Sequence, residues 1–321
     1  MVKTCLIAMS ACAALAVAAP QAAAAAGGPI TLVVPFGPGG VPDIIARFIQ
    51  PKLAEYLGQQ VVVENKPGAG GNLGSSFAAR AKADGSVILL GTINTLSMNK
   101  WIYGKLDYDP EALTPIIQLG TSPSVILANR RTGIATLKDI VALGKKQAGK
   151  PSYATPGVGT APHLTGELIN REMDISMLHI PYKSSPDAIA DLVGGRVDML
   201  ITNLASVPAM LKNENLVAVA ITSPQRHPLF PQLPTLSEAG LGDISVVPWV
   251  GLVAPPKTDP AVVQRIFEAA DKTLKDPGVA ERMKTLGFTP SGSGPADFSA
   301  FIAEENRRWK AVVKEAGISA D

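Results

Sequence analysis

Short apolar, β-branched runs alternate along the chain with longer stretches whose apolar residues recur every three or four positions. The first pattern marks buried strands and the second amphipathic helices. Strands are expected at 30–35, 60–64, 87–91, 115–119, 124–128, 152–155, 176–180, 197–201, 216–222 and 246–254. Helices are expected at 42–57, 71–82, 95–101, 136–147, 161–172, 185–194, 204–212, 259–275, 277–286 and 295–316. This alternation predicts an α/β protein with largely parallel sheets. Pro51 falls inside the first helix, where it removes a backbone hydrogen bond and crowds the preceding turn, so a kink is expected there.

Two of the apolar runs, 115–129 and 216–223, have no following helix of their own. They can carry the chain from one lobe to another and back. The expected organisation is a discontinuous first lobe, 28–122 plus 224–321, and a continuous second lobe, 123–223. A ligand cleft between two lobes joined by two crossings makes a hinged clamp.

The strand starting at Thr31 is broken by Gly37, Pro38, Gly39 and Gly40, and Asp43 then opens a segment with Ile44, Phe48 and Leu53 at helical spacing. Strand, glycine loop and helix start leave backbone N–H groups unpaired, a ready site for an anion. No Lys or Arg lies between Thr31 and Ala46, so the loop lacks the Lys-Ser/Thr of a nucleotide-phosphate loop and would hold a carboxylate by its amides. A tight turn without a ligand is the plainer alternative. The device recurs at Pro67–Asn72, Gly91–Thr95, Pro156–Thr160 and Thr202–Leu204, each after a strand. Ligands in open α/β sheets sit beyond the carboxyl ends of strands, so these five loops are expected to converge.

The N-terminus adds a destination. Lys3, an apolar run over 5–19 and small residues at Ala22–Ala26 form a secretory signal pattern, taken as residues 1–26, which predicts a soluble chain exported to the periplasm. Cys5 and Cys12 both lie in that segment, so cleavage leaves no thiol for a disulfide, nucleophile or metal. Met9-Ser10-Ala11-Cys12 resembles a weak lipoprotein box, but the apolar run continues past Cys12, which favours cleavage near Ala26 over lipid anchoring or an uncleaved anchor.

Composition narrows the function. With 29 basic and 27 acidic residues the chain has no electrostatic footprint for nucleic acid or an anionic membrane. With 46% apolar and 17% charged residues it can bury a sizeable core. His163, His179 and His227 do not follow metal-ligand spacing, no Gly-x-Ser-x-Gly elbow occurs, and no nucleophile–base pair is evident. Gly68–Gly74 nearly matches a dinucleotide fingerprint, but Leu73 takes the third glycine's place; Gly157–Pro162 fails likewise at Pro162. No cofactor or metal is expected.

The ordered motifs VVPFGPGGVPDIIAR (33–47), VVVENKPGAGGNLG (61–74), LLGTINTLSMN (89–99), YATPGVGTAPHLTGEL (153–168), HIPYKSSPDAIADLVGGRVDML (179–200), AVAITSPQRHPLFPQLPTLSEAG (218–240) and WVGLVAPPKT (249–258) carry a family resemblance. Over 30–317 the chain resembles the Bug-type (Bordetella uptake gene) receptors of tripartite tricarboxylate transporters. The resemblance implies a type II periplasmic binding protein that holds a small organic acid through backbone amides, hydroxyls and water. It also implies a monomer that delivers its ligand to membrane permease subunits. The positions it marks for ligand are Phe36, Gly39, Gly40 and Asp43, then Gly71 and Asn72, then Thr92, Asn94 and Thr95. From the other lobe it marks Thr155, Gly157, Thr160, His163, Tyr182 and Asn203.

Two departures bear on specificity. Val41-Pro42 stand where the family often has a threonine before the aspartate, and Thr202 stands where an acidic residue often precedes the asparagine. The second tilts the expectation towards a ligand without an amino group. Several marked residues have structural alternatives. Asp43 could cap its helix or pair with Arg47. Thr92, Asn94, Thr95 and Thr160 could serve as caps, His163 as a helix residue, Tyr182 as the cleft edge and Trp249 as core or cleft wall. The expected function is an extracytoplasmic receptor; a ligand sensor presenting the closed receptor to a signalling partner, or an exported carboxylate-processing enzyme, are the alternatives.

Overall fold

The computed structural model describes residues 28–317 and 319, apart from 147–148, 208 and 243–244. The expected signal segment and both cysteines lie outside the described residues.

The chain opens with β1 (Ile30–Val34), α1 (Val41–Leu57), β2 (Val61–Asn65), α2 (Asn72–Ala79) and β3 (Val87–Thr92). Strand β1 is buried on both faces: Ile30, Leu32 and Val34 join one apolar core and Val33 the other. A strand sandwiched between helix layers reads as a continuous apolar run, which is why this one was visible in the sequence. Helix α1 runs unbroken through Pro51 and ends at Gly58 in the left-handed region, φ 62°.

After β3 the expected helix at 95–101 divides. A π-helical turn, Asn94–Met98, leads into a short α3 (Asn99–Ile102). Next come β4 (Thr114–Thr121), β5 (Ser124–Asn129), α4 (Leu137–Gly144), β6 (Ser152–Thr155), α5 (Ala161–Glu172), β7 (Leu178–Pro181), α6 (Ser185–Val193), β8 (Met199–Asn203) and β9 (Leu216–Ile221). The chain closes with β10 (Trp249–Ala254), α7 (Pro260–Lys275), α8 (Pro277–Thr285), β11 (Thr289–Pro290) and α9 (Pro295–Ala316). The helix expected at 204–212 is instead two 3₁₀ turns, Leu204–Ser206 and Met210–Lys212. The sequence places Pro208 between them, a residue with no N–H to continue a helix.

Two sheets result. One has the order β11-β4-β10-β3-β1-β2 and the other β7-β6-β8-β5-β9. They are mixed rather than largely parallel. The βα units β1–β2, β1–β3, β6–β7 and β6–β8 pair parallel, while β10 runs against β3 and β4, and β5 against β8 and β9. Both β5 and β10 enter a sheet by crossing between lobes, so no helical crossover obliges them to be parallel.

The chain leaves the first sheet between Thr121 and Ser124. Its return lies later than the expected 223/224 boundary. Leu233, Leu236 and Leu241 pack into the cores of the second lobe, and Thr235 bridges Ile221. Only at Trp249 does the chain rejoin the first sheet, opposite Thr121.

The lobes touch on both sides of the cleft. Leu164 and Leu168 of α5 share an apolar cluster with Trp309 and Val313 of α9. On the other flank Gly287 meets Leu204, where an added Cβ would fall 2.8 Å from Leu204 Cδ2.

Candidate functional site

Three helix N-termini point into one cavity. Gly40, Val41 and Pro42 open α1 from the first lobe; Thr160, Ala161 and Pro162 open α5, and Ser184 and Ser185 open α6, from the second. Each has proline at its second position, where the missing N–H costs the helix nothing. The α5 and α6 ends are capped: Thr160 Oγ1 accepts the His163 N–H and Ser184 Oγ the Asp187 N–H, both at 3.4 Å. Gly40 supplies no side-chain cap. Unpaired N–H groups and the positive ends of three helix dipoles, aimed at one space from both lobes, favour an anion.

The remaining wall comes from Thr92, Ile93 and Asn94 at the end of β3, Thr202 and Asn203 at the end of β8, Phe36, and the apolar edge Pro248, Trp249 and Val250. Trp249 is held by its Nε1–H, which donates to Glu305 Oε2 at 2.9 Å, so it forms a rigid wall as well as core. Among the described residues no Asp or Glu lines the cavity, and one basic residue does, Lys183. It lies outside the first loop, whose 31–46 stretch carries no Lys or Arg. The cavity measures about 70 Å³.

Among the sequence-marked residues, Phe36, Gly40, Thr92, Asn94, Thr160 and Asn203 stand on the cavity wall, while the others hold the loops that form it. Asp43 is buried; its carboxylate accepts the Gly39 N–H, the Arg47 Nε–H and the Asn65 Nδ2–H, each at 2.9 Å. Asn65 also donates to the Phe36 carbonyl at 3.0 Å, which ties the first loop to β2. Gly39 has φ +82°, and a Cβ there would lie 3.1 Å from Pro186 Cγ of the opposite lobe.

Gly71 supports Phe36 from behind: a Cβ would come within 3.0 Å of the ring and 2.7 Å of Thr95 Cγ2. Asn72 Oδ1 accepts from Asn99 Nδ2 at 2.6 Å and from the Tyr108 hydroxyl at 3.2 Å. Thr95 is fully buried, its Oγ1 accepting the Thr92 N–H at 3.1 Å. The whole Pro67–Asn72 loop is therefore a buttress and not part of the cavity wall.

In the second lobe, Thr155 Oγ1 lies 2.7 Å from His179 Nε2, and the Gly157 carbonyl accepts the Thr160 hydroxyl at 2.7 Å. His163 stacks on His179 with 4.1 Å between ring centroids, and its Nδ1 accepts the Gly159 N–H at 3.1 Å. An accepting Nδ1 requires the neutral ring, and burial holds the His163 pKa below its ordinary value. Burial and the neighbouring His163 push His179 down to about 3. The Tyr182 hydroxyl donates to Asp191 at 2.6 Å, away from the cavity, and burial followed by that bond pushes it up to about 12.

Lys183, Ser184 and Ser185 were missed as site residues. The signal was present: strand 176–180 running into a Ser184-x-x-Asp187 helix start is a sixth strand–turn–helix unit beside the five recognised.

Comparison with known proteins agrees with this geometry. The family model described as "Tripartite tricarboxylate transporter family receptor" matches residues 45–318. BugT of Bordetella pertussis (strain Tohama I) is 34% identical over 291 residues, covering 90% of this chain and 89% of BugT. The solved periplasmic binding protein BugD superposes with a TM-score of 0.85 at 34% identity, over 91% of this chain and 98% of that one. MatC of Rhodopseudomonas palustris, solved with bound malate, gives a TM-score of 0.84 at 30% identity over 89% and 98% of the two chains. The protein thus belongs to the tripartite tricarboxylate transporter receptor family, whose members have the type II binding-protein fold and act as solute-binding receptors and not as enzymes.

Proposed function

We propose that the protein is an exported receptor that captures a small organic acid between its lobes and presents it to a membrane permease. The observation that carries this reading is the convergence of three helix N-termini and Lys183 on a cavity that, among the described residues, no acidic residue lines. Pre-organised dipoles contributed by both lobes favour a carboxylate, and a ligand touching both lobes stabilises the closed state over the open one. Thr202 leaves no carboxylate to meet an ammonium group, so the ligand is an acid without an amino group.

A volume of about 70 Å³ has room for about five waters, which suits a short aliphatic or hydroxylated acid better than a large aromatic one. The malate in MatC belongs to that size class and supports the reading. Among the described residues no helix is long and apolar enough to cross a membrane, so transport would require a separate permease.

The test is a thermal-shift screen of protein refolded to remove carried-over ligand, against mono-, di- and tricarboxylates, aromatic acids and amino acids. A ligand at 100 times its Kd adds about 2.7 kcal/mol, a shift of several degrees. A response confined to carboxylates and lost on amidation supports the proposal. Stabilisation by amines or neutral solutes, with none by acids, would sink it.

A further inference from the structure

Two of the chain's three tryptophans donate to one carboxylate oxygen. Glu305 Oε2 accepts the Nε1–H of Trp249 at 2.9 Å and that of Trp309 at 3.1 Å, from a position only 6% exposed. A buried carboxylate is costly unless its charge and lone pairs are met. Here the two indoles meet one oxygen, and Arg308 Nη1 lies 3.4 Å from the other. Glu305, Arg308 and Trp309 are three and four positions apart, so they share one face of α9.

The two indoles face different parts of the molecule. Trp249 is a wall of the cleft cavity, and its ring meets Phe298 and Phe301 edge-on, with centroids 5.6 and 5.3 Å away. Trp309 stands outside that cavity, packed with Leu164 and Leu168 of α5 from the opposite lobe. One oxygen therefore joins the cleft wall to the contact between the lobes.

Arg308 extends the grip. Its Nη2 donates to the carbonyl of Ser245, four residues before Trp249 on the return crossing. Between those two points the Val246 N–H donates to the Thr222 carbonyl at 3.2 Å, and the Pro248 carbonyl accepts the Ser122 N–H at 2.9 Å. The return crossing thus lies against the outgoing one, where the lobes pivot, because hinges are short segments that absorb backbone rotation. Helix α9 holds that crossing at both ends, Ser245 through Arg308 and Trp249 through Glu305.

We infer that Glu305 is a positioning residue for the cleft, fixing the Trp249 ring as the wall against which ligand is held and tying that wall to the hinge. The inference rests on the receptor reading, since the wall matters only when the cleft is occupied. An indole has a single N–H, so one acceptor behind the ring sets its angle. Without that acceptor the ring keeps its contacts with Phe298 and Phe301 but loses its orientation towards the cavity.

The test begins with ligand-free, ¹⁵N-labelled protein, whose three tryptophans give three indole N–H signals. Glu305→Gln keeps an acceptor oxygen and removes the charge, so the Trp249 and Trp309 signals should move upfield together while Trp101 stays. Separate movement of the two overturns the shared anchor, and it does so without any ligand. Malate, the acid bound in MatC, is the probe for affinity. Glu305→Met removes the acceptor and is expected to raise the malate Kd about tenfold, with Glu305→Gln within about threefold of the unmodified protein. In a Trp249→Phe background no indole N–H remains to be held at the cleft, so Glu305→Met should leave the Kd where Trp249→Phe puts it. Equal weakening in both backgrounds marks a merely structural residue and overturns the proposal. If Glu305→Met fails to fold, malate titration of the unmodified protein decides: Trp309 must shift with Trp249 at the same half-saturation, and a shift of Trp249 alone overturns the link. Failure of every acid to bind the unmodified protein counts against the receptor reading, while the ligand-free indole signals still decide the anchor.

Discussion

Asn94 Nδ2 donates across the cleft to the carbonyl oxygen of Gly159 at 2.6 Å, and the N–H of Gly159 in turn donates to His163 Nδ1. One side chain of the first lobe is thereby tied to the loop that opens α5 in the second. Such a bond exists only when the lobes are together, so it contributes to closure and not to the folding of either lobe.

Asn94→Ala is therefore expected to raise the Kd of the cleft ligand about tenfold, from losing a bond and leaving a buried carbonyl unpaired, about 1–2 kcal/mol. The melting temperature of the ligand-free protein should change little. Calorimetric titration and small-angle scattering check both halves; an unchanged Kd would remove Asn94 from the closing contact.

Asp43 predicts the opposite pattern. Its carboxylate holds Gly39, Arg47 and Asn65 together, so Asp43→Ala should destabilise the ligand-free protein by about 2 kcal/mol, several degrees of Tm. Affinity should fall as a consequence of the loosened first loop. A variant that melts normally but binds poorly would identify Asp43 as a direct ligand contact instead.

Lys183 is exposed at the rim, and its contribution is electrostatic. Lys183→Gln is expected to weaken binding of an acid several-fold at low salt, with little effect on stability. Raising ionic strength should erase the difference between the two proteins, because screening removes what the charge supplied. Equal affinities at low salt would show that the helix N-termini act without it.

The stacked pair His163 and His179 predicts a pH response. Both folded-state pKa values lie below the ordinary 6.5, His179 at about 3, so the unfolded chain takes up protons first as pH falls. Stability from this source is complete above 6.5 and declines as pH drops from 6.5 towards 3. Glu167, 3.9 Å from His163 Nε2, opposes the shift of His163 only in part. Urea midpoints across that window should fall with pH, and less steeply for His179→Phe, which keeps a ring in the stack. Parallel slopes for the two proteins would rule out His179 as a source.

Much of this protein was readable from its linear order. The strand from Ile30, the glycine loop and the start of α1 are local features: an apolar run, residues able to take positive φ, and helical spacing all act within a few positions. The same holds for the loops at Pro156–Thr160 and Thr202–Leu204, and for the ordered motifs that placed the chain in its family.

Local signals could not decide the direction of β10, because pairing against β3 and β4 depends on where the chain returns from the second lobe. That pairing sets Val250 opposite Thr92 and so brings Trp249 to the cavity wall. Nor could they settle Asp43, whose alternatives were ligand, cap and Arg47. Asn65, on a neighbouring strand, completes the network that holds its carboxylate. Lys183 became a site residue for the same reason. Its charge matters only once folding sets α6 beside α1 and α5, since electrostatic attraction at a cleft depends on distances between segments far apart in sequence.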